Sequence, residues 1–304
     1  MEVLFRLLAL LAVVLAGAGL RTAGILDATR TTRLNAATYY VAMPALIFVA
    51  TYDQAIASLL SPALFVGIVA VLATTAALAW TVHRKRDSSA RRSVAVVQSY
   101  HSNLGYLGIP LVAATFDASV TAIASVILGI ATLLQAPLTI TILVAFNGAE
   151  TSARRQFVRL LGNPVLVALV AGMVVGSVGL SVPGPFVAGL DVLATLALPL
   201  ALVCVGASLE FDLPELDPVA TGAVTAMKVA VMPAVAWAIF SALAVDDATF
   251  TAAVVMLAMP TAVSTYVFSS ELGGDERFAS LNVFVTTVAS VLTLFVVIAL
   301  VSGA

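Results

Sequence analysis

The stretch Gln98-Ser99-Tyr100-His101-Ser102-Asn103-Leu104-Gly105-Tyr106-Leu107-Gly108-Ile109-Pro110 decides how this chain folds. It stands inside an apolar segment of about residues 93–115, and a segment of about 20 apolar residues spans a bilayer. Yet the residues from Gln98 to Asn103 all carry polar side chains, and two glycines and a proline follow within a few residues. Pro110 has no amide hydrogen to give a continuous helix, and its ring clashes with the carbonyl four residues back. The glycines permit backbone angles closed to other residues. The helix is therefore predicted to open near residues 103–108. An opened backbone in lipid costs several kcal/mol per unsatisfied group, so it survives only against protein or a wet cavity.

The surroundings of this stretch are those of a membrane protein. Hydrophobic residues make up 62% of 304, only 10% are charged, and the mean hydropathy is +1.12. A soluble domain carries roughly 25% charged residues, so this chain has too few polar side chains to cover a surface in water. Apolar segments separate near 2–20, 34–52, 62–82, 93–115, 119–146, 160–180, 186–209, 219–244, 249–271 and 278–301. The fold class is thus an all-α membrane protein of ten transmembrane helices. Arg6, the run Leu7 to Leu15 and the small residues after it also resemble a secretory signal. That reading leaves nine spans and breaks the symmetry described below. The single cysteine, Cys204, excludes an internal disulfide and offers no metal cluster.

Charge sets the orientation. Arg21, Arg30, Arg33, Arg84, Lys85, Arg86, Arg91, Arg92, Arg154, Arg155, Arg159 and Arg277 all fall in loops after odd-numbered spans. The loops after even-numbered spans carry no lysine or arginine. Those loops, and both termini, are therefore expected outside the cytoplasm, in the cell (plasma) membrane. Asp53, Asp191, Asp246 and Asp247 read as extracytoplasmic charges, and Glu210, Asp212, Glu215 and Asp217 as a solvated cytoplasmic connection. Lys228 falls inside span eight. It reads first as a lysine snorkelling to the inner interface, and second as a buried functional lysine.

Prolines mark an internal repeat. Pro44 and Pro199 stand inside spans two and seven, and Pro110 and Pro260 inside spans four and nine. Spans one and six end alike, in Ala16-Gly17-Ala18-Gly19-Leu20 and Gly176-Ser177-Val178-Gly179-Leu180. The chain divides into a first five-helix repeat at 1–147, a cytoplasmic connection at 148–159 and a second repeat at 160–304. Because five is odd, the second repeat is inverted in the membrane. Inverted repeats with interrupted helices at matching positions point to a transporter with a midplane site.

Asn103 lies about eleven residues into span four, roughly 16 Å deep in a core of about 30 Å. Met259-Pro260-Thr261-Ala262-Val263-Ser264-Thr265 begins at similar depth from the other side. Two half-helix N-termini crossing there would aim free amides and positive dipole ends at one spot, which suits an anion. The expected substrate site is Asn103, Gly105, Tyr106, Gly108 and Pro110 on one side, with Pro260, Thr261 and Ser264 on the other. Gly108 is the position where a large side chain is expected to block it. Each proline also has a plainer reading as a kink, and small polar residues often only pack helices. His101 is the titratable group of the polar run. It reads as a neutral hydrogen-bonding residue or as the carrier of a coupled proton.

The segment Asn103-Leu104-Gly105-Tyr106-Leu107-Gly108-Ile109-Pro110 resembles the fourth-helix signature of the auxin efflux carrier family. So do Met43-Pro44-Ala45-Leu46-Ile47-Phe48, Gly162-Asn163-Pro164, Leu198-Pro199-Leu200-Ala201 with Gly206-Ala207-Ser208-Leu209, Met259-Pro260-Thr261-Ala262 and Gly273-Gly274-Asp275, in family order. The family includes plant auxin exporters and prokaryotic carriers assigned to malate, malonate or related acids. The short connection after span five is similar to that of the prokaryotic members. The resemblance implies a bile acid symporter-like fold with a scaffold of helices 1, 2, 6 and 7 and a transport unit of helices 3–5 and 8–10. It also implies elevator-type alternating access and a homodimer.

The expected function is secondary active transport of a small organic anion, such as a dicarboxylate or an auxin-like acid, with proton or sodium coupling left open. An anion channel and a sodium-coupled carrier are the alternatives. Intramembrane catalysis needs paired aspartates, an HExxH motif or a facing serine–histidine pair. His101 and Ser102 are chain neighbours and do not face each other on a helix, so no enzyme is expected. Nor is any cofactor, metal or nucleic acid partner.

Overall fold

The computed structural model describes residues 2–54, 59–86, 88–148, 155, 158–159, 162–207 and 217–303. Arg154, Glu210, Asp212 and Glu215 lie outside the described residues. The described chain is helical: α1 (Glu2–Thr22), α2 (Ala28–Thr51), α3 (Pro62–His83), α4 (Ser89–Gln98), α5 (Leu104–Thr115), α6 (Ala118–Asn147), α7 (Pro164–Val178), α8 (Gly184–Ala207), α9 (Pro218–Ala242), α10 (Asp247–Leu257), α11 (Ser264–Glu271) and α12 (Glu276–Gly303). Six of these, α2, α3, α6, α8, α9 and α12, are long and apolar enough to cross a membrane. No strand forms among the described residues.

Local chemistry explains where the helices begin. Asp27, Ser61, Ser88, Asp117, Asn163, Asp217 and Asp246 each accept a hydrogen bond from a first-turn amide, so at least one orphan donor is satisfied at each of these seven helix starts. Pro62, Pro164 and Pro218 follow their caps at the first helical position, where a missing amide hydrogen costs nothing. At Asp117 the Val120 amide, then the Ser119 hydroxyl, hold the carboxyl below the usual carboxylate range.

Internal prolines leave a second signature. The π turns Thr38–Ala42, Leu104–Gly108 and Met227–Val231 begin six residues before Pro44, Pro110 and Pro233 respectively. A proline denies one carbonyl its partner and crowds it. One extra residue in the preceding turn relieves both faults by shifting bonds to the fifth residue back, as in Gly108 N–H donating to the Asn103 carbonyl at 3.0 Å. At Pro199 the response differs, and α8 turns at Leu196.

The helices pack in two groups. The first joins α1 to the second half of α8, and α2 to α7 and the first half of α8. A Cβ on Gly17 would strike the Val203 carbonyl, and one on Gly206 the Val14 carbonyl. Both positions therefore need glycine for backbones this close, the usual device where lipid supplies no hydrophobic drive. The second group gathers α3, α4, α5 and α10 around α6 and sets α9 against α3, α10 and α12. Its outer faces, like those of the first group, show large apolar side chains such as Phe65, Trp80, Val170, Val178 and Leu292. Such a surface suits lipid rather than water.

Candidate functional site

The two broken stretches meet. α4 stops at Gln98 and α5 starts at Leu104; α10 stops at Leu257 and α11 starts at Ser264. Between them Ser102 and Thr261 form an antiparallel bridge. Asn103 N–H donates to the Pro260 carbonyl at 2.8 Å, and Ala262 N–H to the His101 carbonyl at 3.0 Å. Each unwound segment thus satisfies part of the other's backbone, as a membrane interior requires. The opening in the first stretch falls at residues 99–103, earlier than the expected 103–108. Residues 104–108 instead form the π turn, which accommodates Pro110 without opening the helix.

Beside this crossing lies a cavity of about 260 Å³. Its wall includes His101, Ser102, Asn103, Gly105 and Tyr106 from the first break and Ala262, Val263 and Ser264 from the second. α6 contributes Thr132 and Gln135, and α2 faces them with Tyr39 and Met43. Arg159 and Asn163 close the side next to the start of α7. Tyr106 stacks on Tyr39 with ring centroids 6.3 Å apart, so the crossing and α2 share an aromatic wall. No aspartate or glutamate belongs to the wall among the described residues. Arg159 is its formal charge, and its guanidinium holds Glu271 at 3.1 Å.

The electrostatics of the crossing favour negative charge. The Nδ2 of Asn103 is a buried donor with no partner among the described residues. The backbone amides of Gly105, Tyr106 and Ser264 stand in the first turns of α5 and α11, and that of Val263 at the α11 cap, where helix geometry supplies no acceptor four residues back. All five donors belong to residues of the same wall, four of them at the N-termini of α5 and α11, where helix dipoles present positive ends.

Of the residues singled out in the sequence, Asn103, Gly105, Tyr106, Ser264 and His101 line the cavity, while Gly108, Pro110, Pro260 and Thr261 do not. A Cβ on Gly108 would meet Met256 Sδ at 2.9 Å, so Gly108 packs on α10. Gly105 is the one with open space before it. Thr261 braces the crossing: its hydroxyl donates to the Gln98 carbonyl at 2.8 Å, and its amide to Thr286 Oγ1 at 3.3 Å. Gln98 extends this brace to Thr265, to the Ala279 carbonyl and to Asn282. His101 Nδ1 lies 2.8 Å from Thr139 Oγ1, which also bonds the Tyr100 hydroxyl at 3.0 Å.

Lys228 departs most from expectation. It does not snorkel; it is fully buried, with Nζ 2.7 Å from Ser102 Oγ, 3.0 Å from Met232 Sδ and 3.2 Å from the Leu257 carbonyl. The π turn rotates the residue inward, and Ser102 and the end of α10 provide acceptors that one helix read alone does not reveal. Gln135 was missed as well. Its Oε1 accepts the Ser102 amide at 2.7 Å. Thr132, Gln135 and Thr139 recur at helical spacing in a mostly apolar helix, a one-face pattern that marks a polar neighbour.

Interrupted helices crossing beside a cavity are the structural mark of secondary transporters, and they define this molecule as a membrane transport protein. The family model of the membrane transport proteins matches residues 2–298, and the chain belongs to that family, which is that of the auxin efflux carriers. It is 27% identical over 292 residues to an uncharacterized transporter of Methanothermobacter thermautotrophicus, with 94% of each chain covered.

Proposed function

We propose that the protein is a secondary active transporter of a small organic anion, with a carboxylate held in the cavity at the helix crossing. The observation that carries this reading is the buried Asn103 donor with no partner among the described residues, set beside the helix N-termini at Gly105, Tyr106, Val263 and Ser264 in a wall whose described residues include no acid. A buried donor left unpaired costs about 1–3 kcal/mol. A bound carboxylate, with its two acceptor oxygens, removes that cost. The volume of about 260 Å³ admits a small carboxylic acid.

The mechanism follows from which helices build the wall. We read α1, α2, α7 and α8 as a scaffold and α3–α6 with α9–α12 as the moving unit, ten spans in two inverted repeats. Tyr39 and Met43 would stay with the scaffold while the crossing carries its anion past them, as an elevator does. The cavity reaches Arg159 on the arginine-rich side, so this conformation is read as open to the cytoplasm, with both termini outside the cell. In a homodimer the scaffold would supply the fixed interface.

A thermal-shift screen of malate, malonate, other dicarboxylates and indole-3-acetate on purified protein tests the reading, followed by uptake of the stabilising acid into proteoliposomes. Saturable uptake stimulated by the same acid inside the vesicles is the expected result. Large unitary currents without saturation would mean a channel instead.

A further inference from the structure

We infer that Lys228 binds the proton that travels with the substrate anion, and that Ser102 connects it to the cavity. This rests on the anion reading above and adds the coupling ion to it.

Three observations carry the inference. Lys228 is fully buried, and no aspartate or glutamate is buried among the described residues. Its three contacts, Ser102 Oγ, Met232 Sδ and the Leu257 carbonyl, match the three N–H groups of an ammonium but bring no negative charge. A buried cation without a counter-charge is costly inside a membrane. Second, Ser102 belongs to both sites: its hydroxyl holds Nζ at 2.7 Å, and the residue lines the cavity. Third, Lys228 lies on a π turn, a helix defect that recurs at functional positions.

A carboxylate in the cavity supplies the missing charge. Anion and proton are then linked: the ammonium strengthens carboxylate binding, and the carboxylate strengthens proton binding by the same factor. In the uptake step a hydronium ion of cavity water gives its proton to Ser102 Oγ as the serine proton moves to the Nζ lone pair. One O–H bond of the hydronium and one of the serine break, a new serine O–H bond and one N–H bond form, and water is left. One charge of the anion thus moves with one proton.

Few other groups bear on this. His101 is close enough for the lysine charge to act on its imidazole, which Thr139 holds at Nδ1. The Tyr100 hydroxyl is engaged by the same threonine. On the helices packed around α9, the other charged or titratable groups are His83, Arg91, Arg92, Asp247, Glu276 and Arg277, each in a first or last turn. Asp217, before α9, pairs with Arg86 and Arg91.

The sequence contains two lysines, Lys85 and Lys228, which makes a direct test practical. Lys85→Arg, at an exposed site before α4, leaves one lysine. Full-length protein with 13C at lysine Cε, in detergent micelles, is titrated by NMR from about pH 5 to 10, the range in which buried lysines change charge. One series contains sodium chloride, the other sodium malonate at equal ionic strength, and thermal shift reports malonate binding in the same samples. The expected result is one titration step whose midpoint rises by about one pH unit with malonate, a tenfold gain in proton affinity, with malonate binding correspondingly weaker above the step. A Cε signal that never moves, or a midpoint unchanged by malonate that binds, would overturn the assignment. If the lysine titrates but neither malonate nor another dicarboxylate binds, the carboxylate reading fails and the linkage with it. The chloride series separates that failure from one of Lys228 itself.

Discussion

Asn103→Ala has opposite expected consequences for the empty and the loaded protein. In the empty protein the Asn103 amide donates to the Pro260 carbonyl at 2.8 Å, and its carbonyl accepts from Gly108 N–H at 3.0 Å. Alanine keeps both bonds. The side chain removed is 4% exposed and has an Nδ2 with no partner among the described residues. Deleting an unsatisfied buried donor is neutral or stabilising, so the melting temperature of the empty protein should hold or rise. With a carboxylate bound, the same deletion removes a hydrogen bond to a charged group, worth about 1.5–3 kcal/mol. That corresponds to roughly a tenfold to hundredfold loss of affinity. Thermal denaturation without ligand, and calorimetric titration with the carboxylate found by screening, read the two halves separately. An affinity within about twofold of the parent would remove Asn103 from the site. A large loss of stability without ligand would make it a structural residue.

Three further experiments probe other parts of the structure. Gly105→Leu fills open space beside the cavity and should abolish carboxylate-induced stabilisation while the empty protein keeps its melting temperature; Gly108→Ala instead presses on Met256 and should cost about 1–3 kcal/mol of stability. In a Cys204→Ala background, an impermeant thiol reagent should label Ser88→Cys only from the cytoplasm and Asp247→Cys only from outside; both positions are exposed, and labelling of both from one side would end the ten-span topology. His101→Gln should keep the dependence of uptake on a pH gradient, because the coupled proton is assigned to Lys228 and glutamine can still reach a hydrogen bond with Thr139; loss of that dependence with exchange intact would move coupling from Lys228 to His101.

Part of the candidate site's placement was legible in the sequence. Composition decided the solvent, because 10% charged residues cannot coat a soluble surface. The polar run before Pro110 and the Met259-Pro260-Thr261 segment marked the two breaks, because only an interrupted helix justifies those residues at bilayer depth. Asn103, Gly105, Tyr106, Ser264 and His101 all line the cavity that lies there. Charge placement and the proline spacing supplied the topology now proposed.

Side-chain direction was not legible. Thr261 and Ser264 stand three residues apart in one motif, yet Thr261 braces Gln98 while Ser264 opens to the cavity. Gly105 and Gly108 divide in the same way, one facing space and the other Met256. Hydropathy reports how deep a residue lies along a helix, but not the side on which it points. That side is set by π turns, which rotate everything beyond them, and by partners far away in the chain. Lys228 shows the consequence: in sequence it is one cation near the start of an apolar span, and only the packing of α9 against Ser102 and the Leu257 carbonyl buries it at the crossing. Sequence alone determined a membrane protein with two broken helices; the tertiary structure decided which of their polar groups hold the fold together and which are left free for a ligand, because that depends on contacts between residues more than a hundred positions apart.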